Sequence, residues 1–269
     1  MKTKSMVRRI GALALASGIV LTFDGTAFAA RTTTSTVTPA PGTPKTEKTD
    51  KTSKSVDALK QTCEAAIDRR LTSLGDTQRK VSSSTYLTAA NKATLLGEIG
   101  AENDGLAALR VKIAGDTDRP TLVADCKSIA EHYRVYLLMI PKAHLMIASD
   151  AAATIGQKLT DLAARLQADI EKAKGAGKDT SDAQRDLNSL KAATSAGTAG
   201  AAPVNGLLNF ALPLNPSEDQ ADQRNVKTAR TDVGTAHTNF VQARSHVKQV
   251  MADVAALKTP KAATATATG

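Results

Sequence analysis

Ten apolar residues in the last part of the chain, Val226, Ala229, Val233, Ala236, Phe240, Ala243, Val247, Val250, Val254 and Leu257, follow one another at alternating spacings of three and four. That period puts all of them along one line of a helix and nowhere else, the pattern of a coiled-coil seam. The small residues at alternate positions, Ala229, Ala236 and Ala243, favour close approach of a partner helix. Ahead of the seam, Asn215 is placed to cap, Pro216 suits a first turn and Glu218 has capping-box spacing. A helix from Pro216 to Lys258 would be about 64 Å long at 1.5 Å per residue. Gly234 weakens it but lies off the seam.

The rest of the body repeats the helical period. A first helix is expected over 55–82, with Leu59, Cys63, Ile67, Leu71, Leu74 and Val81 on one side. A second is expected over 88–114, with Leu95, Ile99, Leu106, Leu109 and Ile113. A third opens at Asp118-Arg119-Pro120 and runs to about residue 174, and a fourth starts near Ser181, three residues before Gln184 in a capping-box spacing. Gly175-Ala-Gly177 and Gly197-Thr-Ala-Gly200 read as joints between helices. No strand-like alternation competes. The fold class is therefore all-α: an elongated antiparallel bundle of about five long helices with coiled-coil packing and disordered tails.

The third helix contains Pro141 inside the apolar run 135–148. A proline there removes a hydrogen bond and crowds the preceding turn, which predicts a kink and makes Pro141 a candidate hinge; a full break is the alternative. The halves, about 55–140 and 141–258, would share this helix. Polar tips at Tyr133, Arg134, Tyr136, Lys142 and His144 interrupt the apolar run and mark a waist. They read either as satisfied core groups or as part of the hinge.

The ends are of different character. Lys2, Lys4, Arg8 and Arg9 precede an uncharged stretch from Ile10 to Phe23, and Ala27-Phe28-Ala29 follows. This is the three-part pattern of a secretory signal, with cleavage expected between Ala29 and Ala30. The apolar stretch is shorter than the roughly 20 residues a spanning helix needs. Residues 30–54 are Thr, Ser, Pro and Lys and are expected to be a disordered linker; 259–269 read the same way. The mature protein is expected to be secreted, free or held non-covalently at the envelope.

The net charge of +9 suggests a polyanion-binding protein until it is divided. Residues 1–29 carry four bases and one acid, 30–55 five bases and two acids, and 258–269 two bases, so 56–257 is left at +1. The tails can touch an anionic surface weakly, and no specific nucleic-acid binding is implied.

Chemistry-bearing motifs do not emerge. His132, His144, His237 and His246 include no pair at the i, i+4 spacing of helical metal ligands. No nucleophile elbow or phosphate loop occurs, and no carboxylate pair stands out, so neither catalytic residues nor a cofactor or metal is expected. Two cysteines in an exported chain are expected to pair. Cys63 lies eight residues into the first helix and Cys126 seven into the third, at one level of two parallel neighbours; two buried free thiols are the alternative. The connection 203–214 is unusually apolar, with Val204, Leu207, Leu208, Phe210, Leu212 and Leu214. It is either tucked against the last two helices or a binding loop for a partner or apolar ligand.

The signal pattern, the stretch Cys63-x-x-x-Ile67-Asp68-Arg69-Arg70-Leu71 and the run Tyr133-Arg-Val-Tyr-Leu-Leu-Met-Ile-Pro-Lys142 resemble secreted α-helical, coiled-coil-containing bacterial proteins of uncharacterised activity. The resemblance implies an envelope or extracellular location and supplies no activity. Together these readings lead to a secreted structural or protein-interaction protein without catalytic activity, whose 226–257 seam is available for self-association or a partner helix. The alternative is a carrier or envelope-associating protein for lipid or another apolar ligand.

Overall fold

A computed structural model describes residues 47–212 and 219–258. The signal region, its Ala29/Ala30 site, the Asn215–Glu218 start signals, Leu214 and the 259–269 tail lie outside the described residues. Helix α1 spans Glu47–Ser83, α2 Ala89–Gly115 and α3 Arg119–Glu131. The first therefore begins eight residues ahead of the expected Ser55. Between Pro44 and Gly75 the sequence has neither proline nor glycine, and a helix once nucleated extends through such polar residues at little cost. Val56, Cys63, Ile67, Leu74 and Val81 of α1 are buried against Leu95, Ile99, Leu106 and Ile113 of α2 and Leu122 and Ile129 of α3.

The turns have local causes. Thr88 caps α2 through its hydroxyl, which accepts from the Asn91 N–H, and Lys92 donates back to the carbonyls of Ser82 and Ser84. Asp118 caps α3 by accepting from the Thr121 N–H at 2.9 Å, with Pro120 in the first turn. Cys63 and Cys126 are joined by a disulfide, with Cα atoms 5.6 Å apart, at the level the helix registers require.

Helix α3 does not continue through Pro141. It stops at Glu131, and Arg134 leaves the helical region with ψ at 41°. A single π-helical turn, Val135–Met139, follows, and α4 then runs from Ile140 to Gly175. The interruption is thus at 132–134, about two turns before the proline, and not at the candidate hinge itself. In an uninterrupted α-helix the Pro141 ring would meet the carbonyl of Leu137. The wider turn before it relieves that conflict, and Pro141 sits in the first turn of α4, the helical position that best tolerates a residue without an N–H. The Arg134 carbonyl accepts from the N–H groups of Leu137, Leu138 and Met139 and anchors the π turn.

Helix α4 packs its first turns against α1 and carries on beside α5 (Ser181–Ala201) and α7 (Asp219–Lys258), with the short α6 (Val204–Leu207) between them. Two bundles thus share α4. The first core includes Val226, Ala229 and Val233 from the start of α7; the second joins Ala163, Leu166 and Ile170 of α4, Leu187 and Leu190 of α5, and Val247, Val250 and Val254 of α7. The seam is therefore used inside the chain: all of its residues are buried except Phe240 and Leu257, which are half-buried.

Two local readings change. Gly197 and Gly200 are inside α5 rather than in a joint. A Cβ at Gly197 would stand 2.8–3.0 Å from the Phe240 ring, and one at Gly200 would touch the backbone of Ala236, so these glycines let α5 lie close to α7. Ser181 does not cap α5. Asp179 does that work, accepting from both the Ser181 N–H and hydroxyl, while Gly177 makes the turn before it at φ 74°.

Candidate functional site

At the helix break, charged groups enter the core from two sides. Along α2 the buried residues are Leu95, Ile99, Glu102, Leu106, Leu109 and Ile113. Their spacings alternate four and three, so Glu102 occupies a core position in an otherwise apolar stripe. Glu98, one turn earlier, lies at its edge. From the opposite side the first turn of α4 delivers Lys142, which is 1% exposed. Its ammonium donates to Glu98 Oε1 at 2.7 Å and to the Phe210 carbonyl, and it stands 4.6 Å from the centre of the Phe210 ring. Lys142 is thereby fully paired.

Glu102 is different. It is 0% exposed and neither carboxylate oxygen has a hydrogen-bond partner. Glu98 Oε2 is also buried without one. Burial first, and then the neighbouring Glu98 carboxylate, push the Glu102 carboxyl up to about 7. Burial also raises Glu98, against the opposing pull of Lys142. Beside them is Tyr133, in the break itself. Its ring lies on Gly105, one turn past Glu102, and a Cβ there would be 2.6 Å from Cε1 and 2.8 Å from the hydroxyl. Burial, then the Glu102 charge, raises the Tyr133 phenol.

Asp125 and Asp150 are also buried acids, and both are partnered. Asp125 of α3 accepts from Lys112 at 2.7 Å. Asp150 of α4 accepts from the Thr88 N–H, from the Asn91 amide at 2.9 and 3.1 Å, and from the Asn205 amide at 2.9 Å. Asp150 ties α2, α4 and α6 together where the two bundles meet.

The outer side of the junction is apolar and aromatic. Tyr136 is 50% and Leu137 42% exposed on the π turn. The Tyr136 hydroxyl meets Ser73 Oγ at 3.2 Å, and the Arg70 guanidinium lies 5.4 Å from the centre of its ring.

Of the waist residues, the structure brings Tyr133 and Lys142 to the acidic pair, turns Tyr136 outward and leaves His144 exposed. Pro141 only adjoins the break. The candidate binding loop is mostly consumed: Val204 and Leu208 are 0% and Leu212 6% exposed, all within the first core, with Leu207 and Phe210 packed against it. Exposed apolar side chains in a connection would cost solubility, and here they close the end of the core instead. Glu98, Glu102 and Asp150 do not figure among the sequence-based candidates. The available signal was an acid interrupting an apolar stripe of regular spacing. Among the described residues no group of three or more His, Cys, Asp or Glu is placed to hold a metal ion, and no helix is long and apolar enough to cross a membrane. No protein-family model, curated protein or solved structure matches the chain.

Proposed function

We propose that this chain is a secreted helical protein of the bacterial envelope or extracellular space that works by protein–protein interaction, without catalysis. The secretory pattern at its N-terminus and the Cys63–Cys126 disulfide support export to an oxidising compartment. The observation that carries the interaction reading is the Tyr136–Leu137 pair held outward on the π turn beside Arg70. An exposed aromatic, an aliphatic neighbour and an adjacent arginine are the composition of an interface anchor. The other large exposed apolar side chains, Val111, Val241 and Met251, are on α2 and α7, away from this turn in sequence, and single exposed apolar residues are ordinary. With the 226–257 seam occupied by α4 and α5, the junction replaces it as the surface offered to a partner. The carrier alternative loses the support of the 204–212 loop, whose apolar side chains are largely buried.

The test is crosslinking from a probe at residue 136, using the mature chain with its tails in an envelope extract of the producing cell. The wild type should capture a defined protein, and Leu137→Asp should lose it while keeping its helical circular dichroism. Equal capture by the two, or capture of lipid alone, would overturn the reading.

A further inference from the structure

We propose that Glu102 is a pH-sensitive latch on the α3–α4 junction: protonated, it lets Tyr133 and the π turn close on α2, and ionised, it loosens them. A carboxylate wholly out of water and without a donor is not stable as an anion, because desolvation is uncompensated. Lys142, the cation that meets this acidic pair, is given to Glu98 and the Phe210 carbonyl. Asp125 and Asp150, also buried, have donors of their own, whereas both oxygens of Glu102 are without one.

The ionisable groups around it are known from each packed element. On α2 itself is Glu98; in the break are Tyr133 and Arg134; on α1 is Arg70, beside Tyr136; on α4 is Lys142; and the first turns of α7, which pack on the π turn, carry the buried Asp222. Two of these, Glu98 and Tyr133, are coupled against its ionisation: Glu98 raises the Glu102 carboxyl, and the Glu102 charge raises the Tyr133 phenol. An added negative charge at Glu102 therefore acts on the segment that lacks α-helical hydrogen bonds. Tyr133 is the lever, since its ring is wedged against Gly105 one turn away.

The sign is fixed by linkage. An acid held above its ordinary value binds its proton more tightly folded than open. The closed junction is most stable below the ordinary glutamate value of 4.5, and that stability is lost as pH rises to about 7. Each pH unit within this window raises the open population about tenfold for one released proton.

The experiment is hydrogen exchange of the full chain at residues 132–139, with wild type, Glu102→Gln and Glu102→Met compared at matched pH across that window, so that intrinsic exchange cancels. The wild-type junction should open relative to both variants by about tenfold per pH unit, while amides of α5 and the distal part of α7 show no such difference. Because Gln leaves a buried amide unpaired, Met supplies the apolar replacement of similar length. A carboxyl titration of Glu102 in the folded wild type by NMR provides a reading that needs no variant. A midpoint near the ordinary glutamate value, or equal pH response in all three proteins, would overturn the latch.

Discussion

Replacing Lys142 with Met removes the cation paired to Glu98. In the native chain its side chain is 2% exposed and that of Glu98 13%, with nitrogen and oxygen 2.7 Å apart. Truncation to an apolar side chain of similar length leaves Glu98 facing a thioether, with its second oxygen already unpartnered and Glu102 one turn away. Breaking a desolvated pair from one side costs about 3–5 kcal/mol, chiefly the penalty of the stranded charge. The lost contact with the Phe210 ring is a further contribution of about 0.5–2 kcal/mol, partly included in that figure. For a body of this size about 2–4 °C of Tm corresponds to each kcal/mol, so Lys142→Met should melt about 6–20 °C below wild type. Thermal circular dichroism at neutral pH measures this. Adding Glu98→Gln should recover much of the loss, because it removes the stranded charge and leaves only an unpaired amide. The single variant should also become more sensitive to alkali. The Glu98 carboxyl already sits above its ordinary value through burial, and losing Lys142 removes the hydrogen bond and the charge that pull it down. Its stability would be greatest at acid pH and lost as pH rises through the folded value. A single variant melting within about 2 °C of wild type, or no rescue by Glu98→Gln, would show that the pair is not desolvated as described.

Other expectations are independent of that site. Reducing the Cys63–Cys126 bond, which spans 63 residues of sequence, should cost about 4 kcal/mol by the loop-entropy argument and lower Tm by about 10 °C; hydrogen exchange should rise in α1 and α3 and stay unchanged in the distal part of α7. Gly234 on α7 has nothing within 4 Å of an added Cβ, so Gly234→Ala should raise stability by about 1 kcal/mol in urea titration, whereas Gly197→Ala, against Phe240, should lower it by about 1–3 kcal/mol. Leu208→Ser should act on folding, with a loss of about 2–4 kcal/mol, because Leu208 is fully buried; an unchanged unfolding midpoint would return the 204–212 loop to the surface.

Much of the architecture was legible because helices and their faces follow from local periodicity. The α7 seam, the capped start of α3 and the Cys63–Cys126 level all depend on residues a few positions apart, and the backbone geometry of a helix converts that spacing directly into position. The proline was legible as a conflict, but its resolution was not. No residue at 132–134 is a helix breaker, so the interruption there comes from tertiary packing of Tyr133 onto Gly105 and from the π turn that makes room for Pro141. Gly197 and Gly200 show the same division. Glycine in a sequence signals a possible turn, and only the approach of Phe240 and Ala236 shows that these two serve helix contact.

The buried cluster was half-readable. An acid at the Glu102 position interrupts an apolar stripe spaced by four and three along α2, but a sequence does not say whether a charge from elsewhere will meet it. Asp150 and Asp125 occupy comparable positions and are supplied with donors by residues 55 and 13 positions away, whereas Lys142 reaches Glu98 and leaves Glu102 without a partner. Local spacing determined which face of each helix turned inward. Which polar groups on those faces were paired depended on long-range contacts between helices, and the same contacts decided that the seam would be filled by the chain itself.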